Sequence, residues 1–177
     1  VPEGVYTVGP VCGPVSAGAY LTEHPYVNAI TFTGETRTGE IIMRAASVGL
    51  RNISLECGGK NPGIVFADCD MDKAIEGTMR SAFVNCGQVC LGTERVYVER
   101  PIFEAFVQRL KEGVEKLRLG VPEDPEVDVC PLVSQEHKEK VMSYYRLAVE
   151  EGETVVIGGR VPELGAGLNA GAWVEPT

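Results

Sequence analysis

The run Ala29-Ile30-Thr31-Phe32-Thr33 is short, apolar and β-branched, and it leads through Gly34 into Thr36 to Val48, where Ile41, Ile42, Ala45 and Ala46 recur at helical spacing. A strand that turns at a glycine and enters a helix at once leaves few architectures open, because its continuation has to cross back over the sheet and pair in parallel. Gly49 stops the helix. Ile53-Ser54-Leu55 and Gly63-Ile64-Val65-Phe66-Ala67 then read as two further short strands, separated by the turn Gly58-Gly59-Lys60-Asn61-Pro62.

The rest of the chain keeps the alternation. Asp70 reads as an N-cap, with Asp72 in the first turn of a helix reaching about Val84. Arg95-Val96-Tyr97-Val98-Glu99 alternates as a strand. Pro101 suits a helix first turn, and the face made by Ile102, Phe103, Phe106, Val107, Leu110, Val114 and Leu117 predicts a helix that covers a sheet. After a proline- and acid-rich connection from Gly120 to Pro131, Ser134 caps a helix to about Glu151. Thr154-Val155-Val156-Ile157 and Ala172-Trp173-Val174 read as two last strands. The whole predicts an α/β fold with a largely parallel sheet flanked by helices. The turn from Cys57 to Pro62 is the natural crossing point between two domains, residues 1–57 and residues 58–177.

Composition narrows the function. The 177 residues are 44% hydrophobic, enough for a real core. Sixteen Lys and Arg against 25 Asp and Glu leave a net charge of −9, which argues against nucleic acid or an anionic membrane as partner. Six cysteines, no signal peptide and no apolar run near ~18 residues suit reduced thiols and a cytoplasmic setting. A start at Val1 and a last stretch that reads as an unfinished strand suggest a piece of a longer polypeptide.

The chemistry-bearing residues are Cys90 and Glu56. Cys90 closes Asn85-Cys86-Gly87-Gln88-Val89-Cys90, in which polar and flexible residues follow an apolar helix and can present a thiol together with backbone N–H groups for a developing oxyanion. Glu56 ends an apolar strand, where a carboxylate needs a partner or a task, and Lys60 is the obvious partner. A thiolate attacks an aldehyde well, and a carboxylate can take a proton from the thiol or from a later water. Cys86 is the rival nucleophile, and any one of the six thiols can equally be a small buried hydrophobe. Gly34-Glu35-Thr36-Arg37-Thr38-Gly39 could bring N–H groups to a pyrophosphate at a helix start, although it lacks the G-x-G-x-x-G spacing. Cys86 and Cys90 have no adjacent His or paired C-x-x-C, so no metal site is expected, and His24 and His137 sit in no hydrolase signature.

Taken jointly, Phe32-Thr33-Gly34-Glu35-Thr36-Arg37-Thr38-Gly39, Leu55-Glu56-Cys57-Gly58-Gly59-Lys60 and Asn85 to Cys90 resemble three ordered motifs of the NAD(P)-dependent aldehyde dehydrogenase superfamily, F-T-G-S-x-x-x-G, L-E-L-G-G-K and N-x-G-Q-x-C. The resemblance covers essentially the whole chain. Within the family, the wording from Asn85 to Arg95 and from Gly34 to Glu40 is most similar to the semialdehyde dehydrogenases of aromatic meta-cleavage. It implies oxidation of 2-hydroxymuconic or a similar unsaturated semialdehyde to the carboxylate. Cys90 would attack, hydride would pass to NAD (or NADP), and Glu56 would activate water against the thioester. It further implies that Thr33, Gly34 and Glu35 lie by the cofactor, that the Cys57 carbonyl meets the nicotinamide amide, and that the full-length protein is a homo-oligomer. On this reading residues 1–57 are the closing segment of the NAD-binding domain and 58–177 the opening segment of the catalytic domain. A second oxyanion donor and a ribose-binding residue fall outside the chain, so the isolated piece is expected to be inactive. The competing reading is a non-catalytic interaction or regulatory fragment derived from such an enzyme.

Overall fold

The computed structural model describes residues 1–9, 16–165 and 167–177. Cys12, one of the six thiols, lies outside them. The chain divides into two compact units, Val1–Gly59 and Lys60–Thr177.

The first unit is a βαβ crossover with a short helix ahead of it. α1 (Ala17–Glu23), which sequence patterning leaves unmarked, begins at Ser16, whose Oγ accepts from the Gly18 N–H at 3.4 Å. β1 (Ala29–Gly34) leads into α2 (Thr36–Ser47) and back to β2 (Asn52–Cys57), which pairs with β1 in parallel. The expected Ile41-Ile42-Ala45-Ala46 face is narrower than predicted. Gly39, Ile42 and Ala46 form the buried stripe of α2, whereas Ile41 is 56% exposed, because a helix of this length turns only every third or fourth residue toward one strand pair. Gly49 and Leu50 adopt positive φ (81° and 54°) to reverse the chain. Arg51 locks that reversal by donating to the Thr22 and Ala45 carbonyls at 2.5 and 2.7 Å.

Gly39 is required by space. A Cβ there would sit 3.0 Å from the Cys57 sulfur and 3.7 Å from Leu55. Gly39→Val is therefore expected to destabilise the protein by about 1–3 kcal/mol through overpacking, read as a lowered midpoint in chemical denaturation. An unchanged midpoint would mean that α2 and β2 can move apart freely.

The second unit repeats the crossover. β3 (Pro62–Val65) and β4 (Arg95–Val98) pair in parallel, with Pro62 opposite Arg95, and α3 (Met71–Phe83) lies between them in sequence. Asp70 caps α3 by accepting from the Lys73 N–H at 3.3 Å. α4 (Phe103–Val114), preceded by a single 3-10 turn at Arg100–Ile102, buries Phe106 and Val114 and packs beside α3. Gly113 permits this approach: a Cβ would lie 3.1 Å from the Met79 sulfur. α5 (Gln135–Glu150) starts at Ser134, whose Oγ accepts from the His137 N–H at 3.1 Å.

Two expected strands do not form. Thr154–Ile157 and Ala172–Val174 are irregular and make no ladder among the described residues, since a β-branched run becomes a strand only where a partner offers its N–H and C=O groups. Val155 and Val156 accordingly remain 40% and 49% exposed. The second stretch is instead held by single bonds and burial. The Leu132 N–H donates to the Ala172 carbonyl at 2.9 Å, and Trp173 is buried with its indole N–H on the Leu168 carbonyl. No helix among the described residues is long and apolar enough to cross a membrane.

Candidate functional site

In the second unit everything about the candidate thiol follows from how α3 ends. After Phe83 the chain enters a 3-10 turn, Val84–Gly87, in which Asn85, Cys86 and Gly87 all take left-handed conformations (φ 53°, 58° and 71°). For a non-glycine residue that region costs roughly 1–2 kcal/mol, and local bonds offset it. The Gln88 N–H donates to the Asn85 carbonyl at 3.0 Å, and the Asn85 and Gln88 side-chain amides donate to each other's backbone carbonyls at 3.2 and 3.3 Å. Asparagine tolerates this conformation best, so the Asn-x-Gly pattern carries the turn.

The two rival cysteines leave this turn in different states. Cys86 is half-buried, and its thiol donates to the Cys130 carbonyl at 2.9 Å. Burial pushes its pKa above the usual thiol value, and the nearby Cys130 thiol adds to that, while a backbone contact from Cys130 offsets some of it. Cys90 stands exposed on the next turn, which closes where the Gly92 N–H donates to the Val89 carbonyl at 2.9 Å. That turn is pinned to the end of α3 by the Thr93 N–H on the Ser81 carbonyl at 3.0 Å. It is pinned to the start of β3 by the Asn61 side chain, whose Nδ2 donates to the Cys90 and Gly92 carbonyls at 2.7 and 3.0 Å.

A thiol that is half-buried, engaged and raised in pKa reacts slowly, because the thiolate is the nucleophile. Cys86 is therefore expected to be alkylated by iodoacetamide more slowly than a free thiol at neutral pH, its rate climbing only as the pH passes above the ordinary thiol range. Peptide mapping after limiting labelling reads this directly. Labelling of Cys86 ahead of Cys90 would reverse the assignment.

The remaining predicted residues lie together in the first unit. The β1–β2 register sets Thr33 opposite Glu56 and Gly34 opposite Cys57. Alternation along β2 turns Ile53, Leu55 and Cys57 inward and Asn52, Ser54 and Glu56 outward, so Glu56 is exposed beside the exposed Thr33. Lys60, the partner expected from spacing, pairs instead with Glu94, and Glu56 makes no ion pair among the described residues. Gly34 is folded under the Phe32 ring, which a Cβ would meet at 2.6 Å. Glu35 stands at the N-cap of α2, its carbonyl accepting from the Gly39 N–H at 3.0 Å. The N–H groups of Thr36, Arg37 and Thr38 thus head a 12-residue helix at the carboxyl end of a parallel strand. That is where open α/β sheets bind phosphate-bearing ligands; the helix N–H groups suit a pyrophosphate, while the Glu35 carboxylate at the N-cap must turn away from it. No group of three or more His, Cys, Asp or Glu side chains among the described residues is placed to hold a metal.

Gln88 stands in the polar run that the sequence marks before the thiol, whereas Asn61 and Ser81 carry no such mark. Asn61 reads as turn composition until β3 and β4 are paired.

Residues 1–177 match the aldehyde dehydrogenase family. The chain is 68% identical over 177 residues to the 2-hydroxymuconic semialdehyde dehydrogenase of Pseudomonas sp. (strain CF600) and 69% identical to that of Pseudomonas putida. All of this chain and 36% of each relative are aligned. Among solved structures, betaine aldehyde dehydrogenase from Staphylococcus aureus in complex with NAD+ superposes with a TM-score of 0.86 and 36% identity, over 90% of this chain and 31% of that one. The chain thus spans about a third of the length of the curated relatives it matches.

Proposed function

The chain belongs to the aldehyde dehydrogenase family, and from that premise we propose that it is the segment of an NAD-dependent semialdehyde dehydrogenase that holds the nucleophile Cys90 and the general base Glu56. Residues 1–57 contribute the end of the cofactor domain and residues 58–177 the beginning of the catalytic domain, a reading supported by the division of the chain into Val1–Gly59 and Lys60–Thr177. The full-length protein works in the cytoplasm as a homo-oligomer. The observation that carries the reading is the contrast between the two thiols: Cys90 exposed on an anchored turn, Cys86 turned inward onto the Cys130 carbonyl.

The Cys90 thiolate adds to the aldehyde carbon, and the carbonyl oxygen becomes an alkoxide that the Cys90 backbone N–H can stabilise. Bound NAD+ supplies a two-electron acceptor for the hydride on that carbon. What remains on Cys90 is a thioester. Glu56 takes a proton from water as its oxygen attacks the thioester carbon, the C–S bond breaks, and the carboxylic acid leaves with Cys90 restored. The N–H groups at the start of α2 would hold the pyrophosphate side of the cofactor, Thr33, Gly34 and Glu35 would lie beside it, and the Cys57 carbonyl would receive the nicotinamide amide.

The relatives at 68% and 69% identity are named for 2-hydroxymuconic semialdehyde, which favours an unsaturated semialdehyde as substrate. The test is NADH formation by an enzyme of the relatives' full length carrying this segment, with 2-hydroxymuconic semialdehyde and with betaine aldehyde for contrast. Preferred oxidation of the semialdehyde supports the reading. No NADH from either aldehyde sinks it.

A further inference from the structure

We infer that Asn61 is a positioning residue for Cys90: its side-chain amide fixes the peptide plane that follows Cys90, and with it the direction in which the thiol leaves the backbone. This deepens the reading of Cys90 as nucleophile and rests on it.

The Cα–Cβ direction of any residue is set by the two peptide planes that flank its Cα. The plane before Cys90 is held from inside the turn. Val89 offers its carbonyl to the Gly92 N–H at 2.9 Å, and across a trans peptide the Cys90 N–H, the proposed oxyanion donor, must point the opposite way. The plane after Cys90 has a different holder. Its carbonyl accepts from Asn61 Nδ2 at 2.7 Å, and the same nitrogen reaches the Gly92 carbonyl at 3.0 Å. An NH₂ group has two protons, so one amide serves both carbonyls, and the orientation follows because the amide oxygen could serve neither.

Packing cannot do this work in its place. Val89 is 37% exposed and Leu91 83% exposed, so the residues on either side of Cys90 have little core to seat in. Asn61, in contrast, is firmly held. Its own carbonyl accepts from the Glu94 and Arg95 N–H groups at 3.0 and 3.3 Å, heading the β3–β4 ladder, and Pro62 keeps it extended. The Lys60–Glu94 ion pair closes over the same junction. Asn61 therefore transmits the rigidity of the strand pair to a turn that has almost none of its own.

The side chain is close to unique for the task. Aspartate has nearly the same shape but only accepts, and would set a carboxylate against two carbonyls. Alanine leaves both carbonyls to water, which the exposed one accepts readily. Serine retains one proton for one carbonyl.

The test uses Asn61→Asp, Asn61→Ala and Asn61→Ser in the full-length enzyme, with two readouts: hydrogen exchange of the 89–93 amides and steady-state kinetics with NAD and a semialdehyde. The expected result is faster exchange confined to 89–93, with the β3–β4 ladder still protected. kcat should fall on the order of 10²-fold in Asn61→Asp and Asn61→Ala, as for a reacting group displaced by about an ångström, the KM for NAD should stay unchanged, and Asn61→Ser should recover some of the loss. Unchanged exchange with unchanged kcat overturns the inference. So does exchange that rises throughout β3 and β4, which would make Asn61 merely structural. Should the wild-type enzyme oxidise no semialdehyde, the proposed function falls, while the exchange comparison still decides whether Asn61 holds the turn.

Discussion

Replacing Cys90 by alanine in the full-length enzyme is expected to abolish aldehyde-dependent NADH formation, a loss of about three orders of magnitude or more, as when a covalent nucleophile is deleted. Cys90→Ser should be nearly as inactive, because a serine hydroxyl is far less acidic than a thiol and a far poorer nucleophile at neutral pH. Neither change should disturb the fold, since the Cys90 side chain is exposed and the bonds that shape its turn are all backbone or come from Asn61. Cys86→Ser is the control that gives the result its meaning. The serine hydroxyl can still donate to the Cys130 carbonyl as the thiol does, so turnover should persist. Turnover surviving in Cys90→Ala but lost in Cys86→Ser would transfer the nucleophile to Cys86 and leave Cys90 without a role in the chemistry.

The elements of the fold that were legible are those governed by local chemistry. The strand, glycine and helix from Ala29 to Ser47 could be read because β-branching, Gly34 and the helical spacing of Ile41, Ile42, Ala45 and Ala46 act within a few residues of one another, although only Ile42 and Ala46 of that face are buried. The Asp70 and Ser134 caps were legible for the same reason. Thr154–Ile157 misled because strand formation depends on a partner, and a run of Val and Ile reports only willingness to pair. The site divides in the same way. Cys90, Glu56 and the Gly34 turn stand out from their own neighbours in sequence. The contrast between Cys86 and Cys90 depends on a carbonyl 44 residues from Cys86, and Asn61 acquires its role only from contacts 29 and 31 residues distant. The expected Lys60–Glu56 pair was a near neighbour in sequence, yet the cation found Glu94 across the β3–β4 junction.

Glu56→Gln is expected to separate the two halves of the reaction. Glutamine keeps the shape and polarity of the side chain but cannot accept a proton, so a step that needs a general base should slow by about 10²–10⁴-fold. If that step is hydrolysis, the first turnover escapes the defect. Thiolate addition and hydride loss consume no water, and one equivalent of NADH per active site should appear in a burst before the slow steady state. The acyl group then remains on Cys90, visible as added mass on the peptide containing it, and hydroxylamine, a nucleophile that needs no base, should release it and restore turnover. Glu56 makes no ion pair among the described residues and is exposed on β2, so the substitution removes no structural charge pair and thermal stability should be unchanged. A variant with wild-type steady-state turnover would deprive Glu56 of its role. Loss of the burst together with the steady state would move that role one step earlier, to deprotonation of the Cys90 thiol, because a carboxylate that only serves water has no means of delaying a step from which water is absent.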